Sequence, residues 1–215
     1  MNSNLEKLLI IDFGSQFTQL IGRKLRELNV FSEIIPYQNV SNKTLENYNP
    51  KAVILSGGPS SVVGKKFPLP PSNLFDLGIP VLGICYGLQV MMKLLGGKVD
   101  SSSGTSEFGR AMLKKTGSNS KIIDDLFIKD KEQVWMSHGD HVSEISNGFE
   151  AIASSEGAPF AIIANDNNKL YGVQFHPEVY HTTNGLKLLN NFLLISGFSK
   201  NWSMGSFKEE KINDL

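Results

Sequence analysis

The sequence predicts an α/β protein with a flavodoxin-like, doubly wound, mostly parallel sheet and a small antiparallel extension. Residues 7–12, 52–59 and 80–84 contain short continuous apolar runs, which are typical of strands buried on both faces. Helical patterns alternate with these runs along the chain. Such alternation indicates a parallel sheet covered by helices on both faces.

The first half of the chain supplies the alternating elements. The segment after the first strand has apolar residues at helical spacing, among them Leu20, Ile21 and Leu25. A second helical pattern directly follows the run that ends at Ile84. In order, we expect strand 7–12, helix 15–29, strand 30–35, a short helix 44–49, strand 52–59 running into a glycine loop, strand 80–84 and helix 86–97.

After Gly97 the pattern changes to short runs separated by turn residues: "EFGRAMLKK", "QVWMSHGD", "FEAIASS", "FAIIAND" and "KLYGVQFH". These runs predict an antiparallel or mixed extension of the sheet. An amphipathic helix over 184–198 follows them. We expect residues 1–198 to form one domain and residues 199–215, which lack apolar periodicity, to form a linker.

The composition excludes several classes of function. The 215 residues include 21 basic and 21 acidic side chains, which leaves no electrostatic footprint for nucleic acid or an anionic membrane. A single cysteine makes no internal disulfide, which fits a reducing compartment. No apolar run approaches the roughly 18 residues that span a bilayer. We therefore expect a cytoplasmic protein with no signal peptide and no membrane or nucleic-acid partner.

The only cysteine, Cys85, stands between Gly83 and Gly87 where a predicted strand meets a predicted helix. A G-x-C-x-G sequence at such a junction has the form of a nucleophile elbow, in which glycines make room for a strained turn. The helix N-terminus favours a thiolate at this position. The backbone N–H of Tyr86 is then a candidate oxyanion donor. The alternative is a structural cysteine packed in the core.

His176, in "YGVQFHPEV", is the candidate base for this thiol. Pro177 favours an extended conformation at His176, and residues i and i+2 of an extended segment face the same way. Glu178 is therefore expected to orient the His176 ring and to complete a Cys–His–Glu triad. Taken alone, the motif is also compatible with a surface histidine.

A glycine pair in "LSGGPSS", residues 55–61, follows another predicted strand. The segment lacks the G-x-x-x-x-G-K-[ST] and G-x-G-x-x-G patterns of nucleotide sites. If this strand end lies beside that of the 80–84 strand, the N–H of Gly58 is a candidate second oxyanion donor next to that of Tyr86. A plain turn is the alternative.

Together these elements resemble a class I (triad) glutamine amidotransferase domain, over about residues 8 to 198. The matching segments are, in order, "LIIDFGSQFTQLI", "ILSGGPSSV", "PVLGICYGLQ", "EFG", "VWMSHGDHV", "PFAI" and "YGVQFHPEV", followed by "HT". The C-Y-G-x-Q and H-P-E segments are general to the family. "DFGSQ", "WMSHGD" and "VQFHPEV" with "HT" resemble the branch of the family that serves GMP synthesis.

The resemblance implies a role for each matching residue. Cys85 is the nucleophile, His176 the general base and acid, and Glu178 the group that orients it. Gly58 and Tyr86 match the oxyanion donors. The positions that match substrate-glutamine contacts in the family are Gln89, Ser137, Asp140 and Tyr180.

Plainer interpretations exist for several positions. Gln89 is alternatively an exposed polar residue of its helix, and "SHGD" is alternatively a hairpin turn. His138 and His141 are expected to be structural or exposed. His181 is a candidate for a domain interface.

The implied reaction is hydrolysis of glutamine to glutamate and ammonia, which needs no metal or organic cofactor. In the GMP branch, an ATP-pyrophosphatase domain or subunit uses ATP and Mg and transfers the ammonia to XMP. The resemblance also suggests a homodimer of the full enzyme. The chain has "SGGPSS" where the family's amidotransferase loop lies, and no loop resembling the "SGGVDS" of the second domain. We expect an isolated domain of a longer enzyme; the alternative is a separate subunit.

Two other functions are compatible with the sequence. The first is the glutaminase subunit of another synthase, of the anthranilate or carbamoyl phosphate type. The second is a non-catalytic, flavodoxin-like module that binds a small ligand.

Overall fold

The computed structural model describes residues 5–101, 106–128 and 131–203. Most predicted elements of the first half are present, with ends that differ by a few residues. Two strands, β5 and β8, are not among the predicted runs. The strands are β1 (Lys7–Asp12), β2 (Phe31–Pro36), β3 (Ala52–Leu55), β4 (Val81–Ile84), β5 (Lys98–Ser101), β6 (Glu107–Lys115), β7 (Lys131–His138), β8 (Asp140–Glu144), β9 (Glu150–Ser154), β10 (Ile162–Asn165) and β11 (Leu170–Val173); the helices are α1 (Thr18–Glu27), α2 (Asn42–Tyr48), α3 (Tyr86–Leu95) and α4 (Gly185–Ile195).

The main sheet has the strand order β2-β1-β3-β4-β11-β10-β9-β6-β7. The strands from β2 to β11 in this order pair in parallel, and those from β11 to β7 pair antiparallel. β5 and β8 form a separate two-stranded antiparallel sheet. The predicted α/β architecture with a mostly parallel central sheet and additional antiparallel strands is confirmed.

Strand β1 shows how the sheet separates two cores. Leu8 and Ile10 pack into one core with side chains of α1 and α4, whereas Leu9 and Ile11 pack into the other with side chains of α2 and α3. All four side chains are fully buried, and burial of each contributes about 2 kcal/mol. Successive side chains of a strand point to opposite faces, so a strand covered on both sides has to be apolar throughout.

The topology brings several chain segments to one edge of the sheet. β1, β3, β4 and β11 are parallel, so the residues that follow each strand lie together at the carboxyl edge. These residues include Gly58 after β3, Cys85 after β4 and His176 after β11. The fold thus assembles a site from positions far apart in sequence.

The "SHGD" segment joins two different sheets. β7 pairs with β6 in the main sheet, whereas β8 pairs with β5 in the small one. Ser137 and Asp140 therefore flank a crossing between sheets. The interpretation of this segment as a hairpin turn is wrong, because its two strands do not pair with each other.

The first residues of the predicted linker contact the domain. The backbone N–H and hydroxyl of Ser199 both donate to Oε2 of Glu6 at 2.8 Å. The backbone N–H of Trp202 donates to the carbonyl of Asn29 at 3.1 Å. Residues 204–215 of that linker lie outside the described residues. Among the helices that the structure describes, none is long and apolar enough to cross a bilayer.

Candidate active site

Cys85 occupies a strained turn between β4 and α3. Its φ is +50° and its ψ is −105°, a backbone conformation that costs a residue with a side chain on the order of 1–3 kcal/mol. Two hydrogen bonds hold it: the Cys85 N–H donates to the carbonyl of Val173 at 2.8 Å, and its carbonyl accepts from the N–H of Gln89 at 3.1 Å. The geometry is that of the predicted elbow.

The two glycines around Cys85 allow α3 to approach the sheet. A Cβ atom on Gly83 would lie 2.6 Å from the backbone of Gly87, and one on Gly87 would lie 2.3 Å from the carbonyl oxygen of Leu55. Neither backbone contact can be relieved by a rotamer change. The G-x-C-x-G spacing is therefore a packing requirement of this strand-to-helix junction.

His176 lies between Cys85 and Glu178. Its Nδ1 atom is 2.8 Å from Oε1 of Glu178, and its ring is close enough to Cys85 for the sulfur to raise the pKa of His176. The side chains of His176 and Glu178 are 5% and 0% exposed, so the alternative of a surface histidine is wrong. The predicted residues are thus brought together in a buried row.

The charge state of His176 follows from these neighbours. Burial alone would lower its pKa, but hydrogen bonds with Cys85 and Glu178 and their negative charges raise the pKa to about 10. The carboxylate of Glu178 thus favours an imidazolium beside the sulfur. Such a pair is the arrangement that activates a cysteine nucleophile.

Backbone contacts fix His176 beyond the end of β11. The strand ends at Val173, and the N–H of His176 donates to the carbonyl of Trp135 at 3.0 Å. The carbonyl of His176 accepts from the hydroxyl of Thr182 at 2.6 Å. These bonds tie the histidine to β7 and to the loop that precedes α4.

The two predicted oxyanion donors, Gly58 and Tyr86, have different surroundings. Gly58 lines the cleft described below, and a Cβ atom on it would lie 2.6 Å from the carbonyl oxygen of Phe13. The Tyr86 side chain is buried, with its hydroxyl donating to the carbonyl of Pro68 at 2.5 Å. Only the backbone of Tyr86 is therefore a candidate for contact with substrate.

An open cleft of about 470 Å³ lies over the sulfur. Gln89, one of its lining residues, is 3% exposed and its Nε2 donates to the carbonyl of Asp140 at 2.8 Å, so the alternative of an exposed helix position is wrong. The carbonyl oxygen of Ser137 lies 3.6 Å from the Cys85 sulfur. Predicted site residues that line this cleft are Gly58, Cys85, Gln89, Ser137, Asp140 and His176.

Tyr180 does not line this cleft. Its side chain is 94% exposed, and its ring meets the ring of His181 edge-on at a centroid distance of 5.7 Å. His181 in turn stacks on Trp135 at 4.8 Å. The structure thus places Tyr180 in an aromatic group outside the cleft, apart from the other predicted substrate contacts.

Two side chains that contact those of Cys85 and His176 are absent from the sequence prediction. Gln174 is fully buried, and its Nε2 lies 3.7 Å from the Cys85 sulfur while its Oε1 accepts from Gln89 at 3.4 Å. Phe17 presents its ring to that of His176 at 5.2 Å. Gln174 is a polar residue inside the apolar run that leads to His176, and this is a sequence signal of a role in the site. Phe17 sits in a helical pattern, which gives no such signal.

The described part of the chain contains no group of three or more histidine, cysteine, aspartate or glutamate side chains that could hold a metal ion. The residues that line the cleft offer thiol, imidazole, carboxylate and amide groups to a ligand.

Comparisons with known proteins agree with this geometry. The family model "Glutamine amidotransferase class-I" matches residues 9–196. A GMP synthase [glutamine-hydrolyzing] of Cereibacter sphaeroides is 57% identical over 207 residues, which are 96% of this chain and 40% of that protein. The corresponding enzyme of Brachyspira hyodysenteriae is 49% identical over 216 residues, covering 100% of this chain and 41% of that protein. The chain thus spans about two fifths of the length of these relatives.

Solved structures show the same fold. A protein of Thermoplasma acidophilum assigned to a GMP synthase is 26% identical, with a TM-score of 0.74 and coverage of 98% of this chain and 99% of that one. A glutamine amidotransferase of Thermotoga maritima is 20% identical, with a TM-score of 0.63 and coverage of 97% and 86%. Because the family model matches residues 9–196, which are most of the chain, the chain belongs to the class I glutamine amidotransferases.

Proposed function

We propose that this chain hydrolyses glutamine to glutamate and ammonia through Cys85, His176 and Glu178. The observation that carries the proposal is the buried row of these three side chains at an open cleft, in which Glu178 holds the His176 ring and both Cys85 and His176 line the cleft. A thiol nucleophile needs a base in contact with it and a third group to orient that base. This row supplies all three.

In the first half of the reaction, the Cys85 thiolate attacks the side-chain carboxamide carbon of glutamine. The oxyanion that forms accepts hydrogen bonds from the backbone N–H groups of Gly58 and Tyr86. With its pKa raised to about 10, the His176 ring is protonated and donates its proton to the amide nitrogen. The carbon–nitrogen bond breaks, ammonia leaves and a γ-glutamyl thioester remains on Cys85.

In the second half, neutral His176 takes a proton from a water molecule that attacks the thioester carbonyl. The carbon–sulfur bond breaks, glutamate is released and the thiolate is restored beside the imidazolium. The Glu178 side chain holds the ring through Nδ1 and stabilises its positive charge in each resting state. We assign Gln89, Ser137 and Asp140 to the ends of the bound glutamine, because these residues line the cleft.

We further infer that the ammonia serves the amination of XMP to GMP. The relatives at 57% and 49% identity are GMP synthases, and this chain spans only about 40% of them. The remaining part of such an enzyme, as a domain or as a subunit, is the partner that would bind ATP and Mg. The identity to these relatives favours a role in GMP synthesis over a role in an anthranilate or carbamoyl phosphate synthase.

The test is labelling with a glutamine-shaped diazoketone, followed by intact mass and by peptide mapping. One addition at Cys85 that excess glutamine blocks is the expected result, and Cys85→Ala is the matched control. A chain that takes up no label, although iodoacetamide still alkylates Cys85, contradicts the proposal and favours a non-catalytic binding module.

The role in GMP synthesis needs its own measurement. The chain is mixed with the XMP-aminating part of a relative's GMP synthase, and transfer of label from amide-¹⁵N glutamine to GMP is followed. Transfer that is absent with Cys85→Ala supports the assignment. Glutamine hydrolysis without any transfer, while free ammonia still aminates XMP, contradicts it.

A further inference from the structure

A buried histidine in the wall of the cleft pairs with an acidic side chain that lies outside the cleft. Glu107 and His138 are directly opposite each other on β6 and β7, and His138 Nε2 lies 3.2 Å from Glu107 Oε2. The side chains of His138 and Glu107 are 1% and 15% exposed. His138 lines the cleft, although the proposed reaction gives it no role.

The Glu107 carboxylate is held in its ionised form. The hydroxyl of Ser155 donates to its Oε2 at 2.6 Å, and His138 Nε2 lies 3.2 Å from the same oxygen. Burial alone would raise the pKa of Glu107, but the hydrogen bonds from His138, Ser155 and Gly157 hold the pKa below its ordinary value. An ionised carboxylate only accepts hydrogen bonds, so Nε2 of His138 carries the hydrogen.

This arrangement leaves the other ring nitrogen of His138 unsatisfied. Nδ1 is buried and has no hydrogen-bond partner among the described residues. A buried polar atom without a partner is unfavourable. The hydrogen bond between Nε2 and Glu107 offsets this cost and holds the ring in place.

The segment that carries His138 supplies contacts to the cleft on both sides. The Ser137 carbonyl lies 3.6 Å from the Cys85 sulfur, and the Asp140 carbonyl accepts the Gln89 side chain at 2.8 Å. The His138 ring therefore lies on the segment whose carbonyl groups border Cys85 and Gln89. The segment also crosses from one sheet to the other, because Ser137 and His138 pair with β6 whereas Asp140 pairs with β5.

We propose that Glu107 is a positioning residue for glutamine binding, which acts by anchoring His138 and thereby holding residues 137–140 against Cys85 and Gln89. The inference rests on the proposed function and adds a residue that never touches the reacting atoms. Loss of the carboxylate weakens binding of the glutamine-shaped ligand. The row of Cys85, His176 and Glu178 does not include this pair and is expected to stay intact.

Inactivation kinetics with the diazoketone separate binding from chemistry. Glu107→Gln is expected to raise KI, the diazoketone concentration that gives half of the maximal inactivation rate, by about tenfold. The reason is that the glutamine amide cannot accept from all the donors that the carboxylate binds. The maximal inactivation rate, kinact, is expected to change by less than about twofold. Glu156→Gln is the matched control, because it removes an exposed carboxylate next to Ser155 in the chain. Ser155→Ala, which keeps the carboxylate and loses one donor, is expected to raise KI by about threefold.

The histidine tautomer provides a readout that does not depend on glutamine. Two-bond ¹H–¹⁵N correlations are expected to show the Nε2–H form of His138 in the wild type and a mixture of forms in Glu107→Gln. An unchanged KI in a folded Glu107→Gln chain contradicts the proposal. A fall in kinact of that variant as large as the rise in KI also contradicts it. So does an Nδ1–H tautomer of His138 in the wild type. If Glu107→Gln does not fold, an unchanged KI in Ser155→Ala has the same meaning.

The two proposals fail in different ways. A wild-type chain that takes up no diazoketone contradicts the glutaminase function and, with it, the role of Glu107. A wild-type chain that is labelled normally, with a KI that Glu107→Gln leaves unchanged, contradicts the role of Glu107 alone.

Discussion

A Cβ atom on Gly57 would lie 2.9 Å from Cε1 of His176, closer than real Cβ atoms approach a neighbour. The His176 ring thus packs directly against a backbone position that only glycine leaves free. The next residue, Gly58, is the predicted oxyanion donor. The glycine pair after β3 therefore joins the residue that makes room for the histidine ring to the predicted oxyanion donor.

Gly57→Ala is expected to displace the His176 ring. A displacement of this kind costs on the order of 10- to 100-fold in reactivity, because the ring has to stay aligned with Cys85. The rate of diazoketone labelling measures the loss. Gly64→Ala is the control, since no atom lies within 4 Å of its added Cβ. Equal labelling rates in the two variants would argue against close packing at His176.

The pKa of His176 predicts a pH dependence of stability. The folded value of about 10 lies above the ordinary 6.5, so the folded chain holds a proton that the unfolded chain releases. The resulting stabilisation is complete below about pH 6.5 and is lost as the pH rises toward about 10, at no more than about 1.4 kcal/mol per pH unit.

Urea unfolding of the wild type and of His176→Gln, measured from pH 6 to pH 10, tests this expectation. The free energy of unfolding of the wild type should fall more steeply over this range than that of the variant. Parallel curves would mean that His176 does not hold an extra proton in the folded state.

Gly87→Ala is expected to destabilise the whole domain. The added Cβ would lie 2.3 Å from the backbone oxygen of Leu55, so α3 has to move away from β3 and lose packing. We expect a loss of about 3 kcal/mol in the free energy of unfolding. Chemical denaturation measures it, and a change below about 1 kcal/mol would show that the junction has more room than the structure indicates.

Gln174→Leu is expected to lower the reactivity of Cys85. The Gln174 amide is fully buried and donates to the Cys85 sulfur at 3.7 Å, and a donor of this kind stabilises a thiolate. We expect iodoacetamide alkylation at pH 7 to slow by about threefold to tenfold. Gln133→Leu is the control, because its amide donates to the His181 carbonyl outside the cleft. An equal effect of both substitutions would indicate a general loss of packing.

The sequence by itself determined the features that depend on neighbouring residues. The elbow at Cys85 could be predicted because a strand, a glycine-flanked turn and a helix follow one another within a few residues. The contact between His176 and Glu178 is predicted from an i, i+2 relation in an extended chain; the contact is present, although Pro177 and Glu178 lie in a turn beyond the end of β11. The alternation of strands and helices likewise predicted the parallel part of the sheet.

Only the tertiary structure decided which distant residues surround Cys85. Gln174 is 89 positions from Cys85 in sequence, and Ser137 is 52 positions away. Contacts at such separations depend on strand order and on the crossing between the two sheets, which no local pattern encodes. For the same reason the structure places Tyr180 beside His181 and Trp135 instead of in the cleft, and it pairs Glu107 with His138 across two strands. Local chemistry is thus encoded in short motifs, whereas the register and order of strands decide which of those motifs meet.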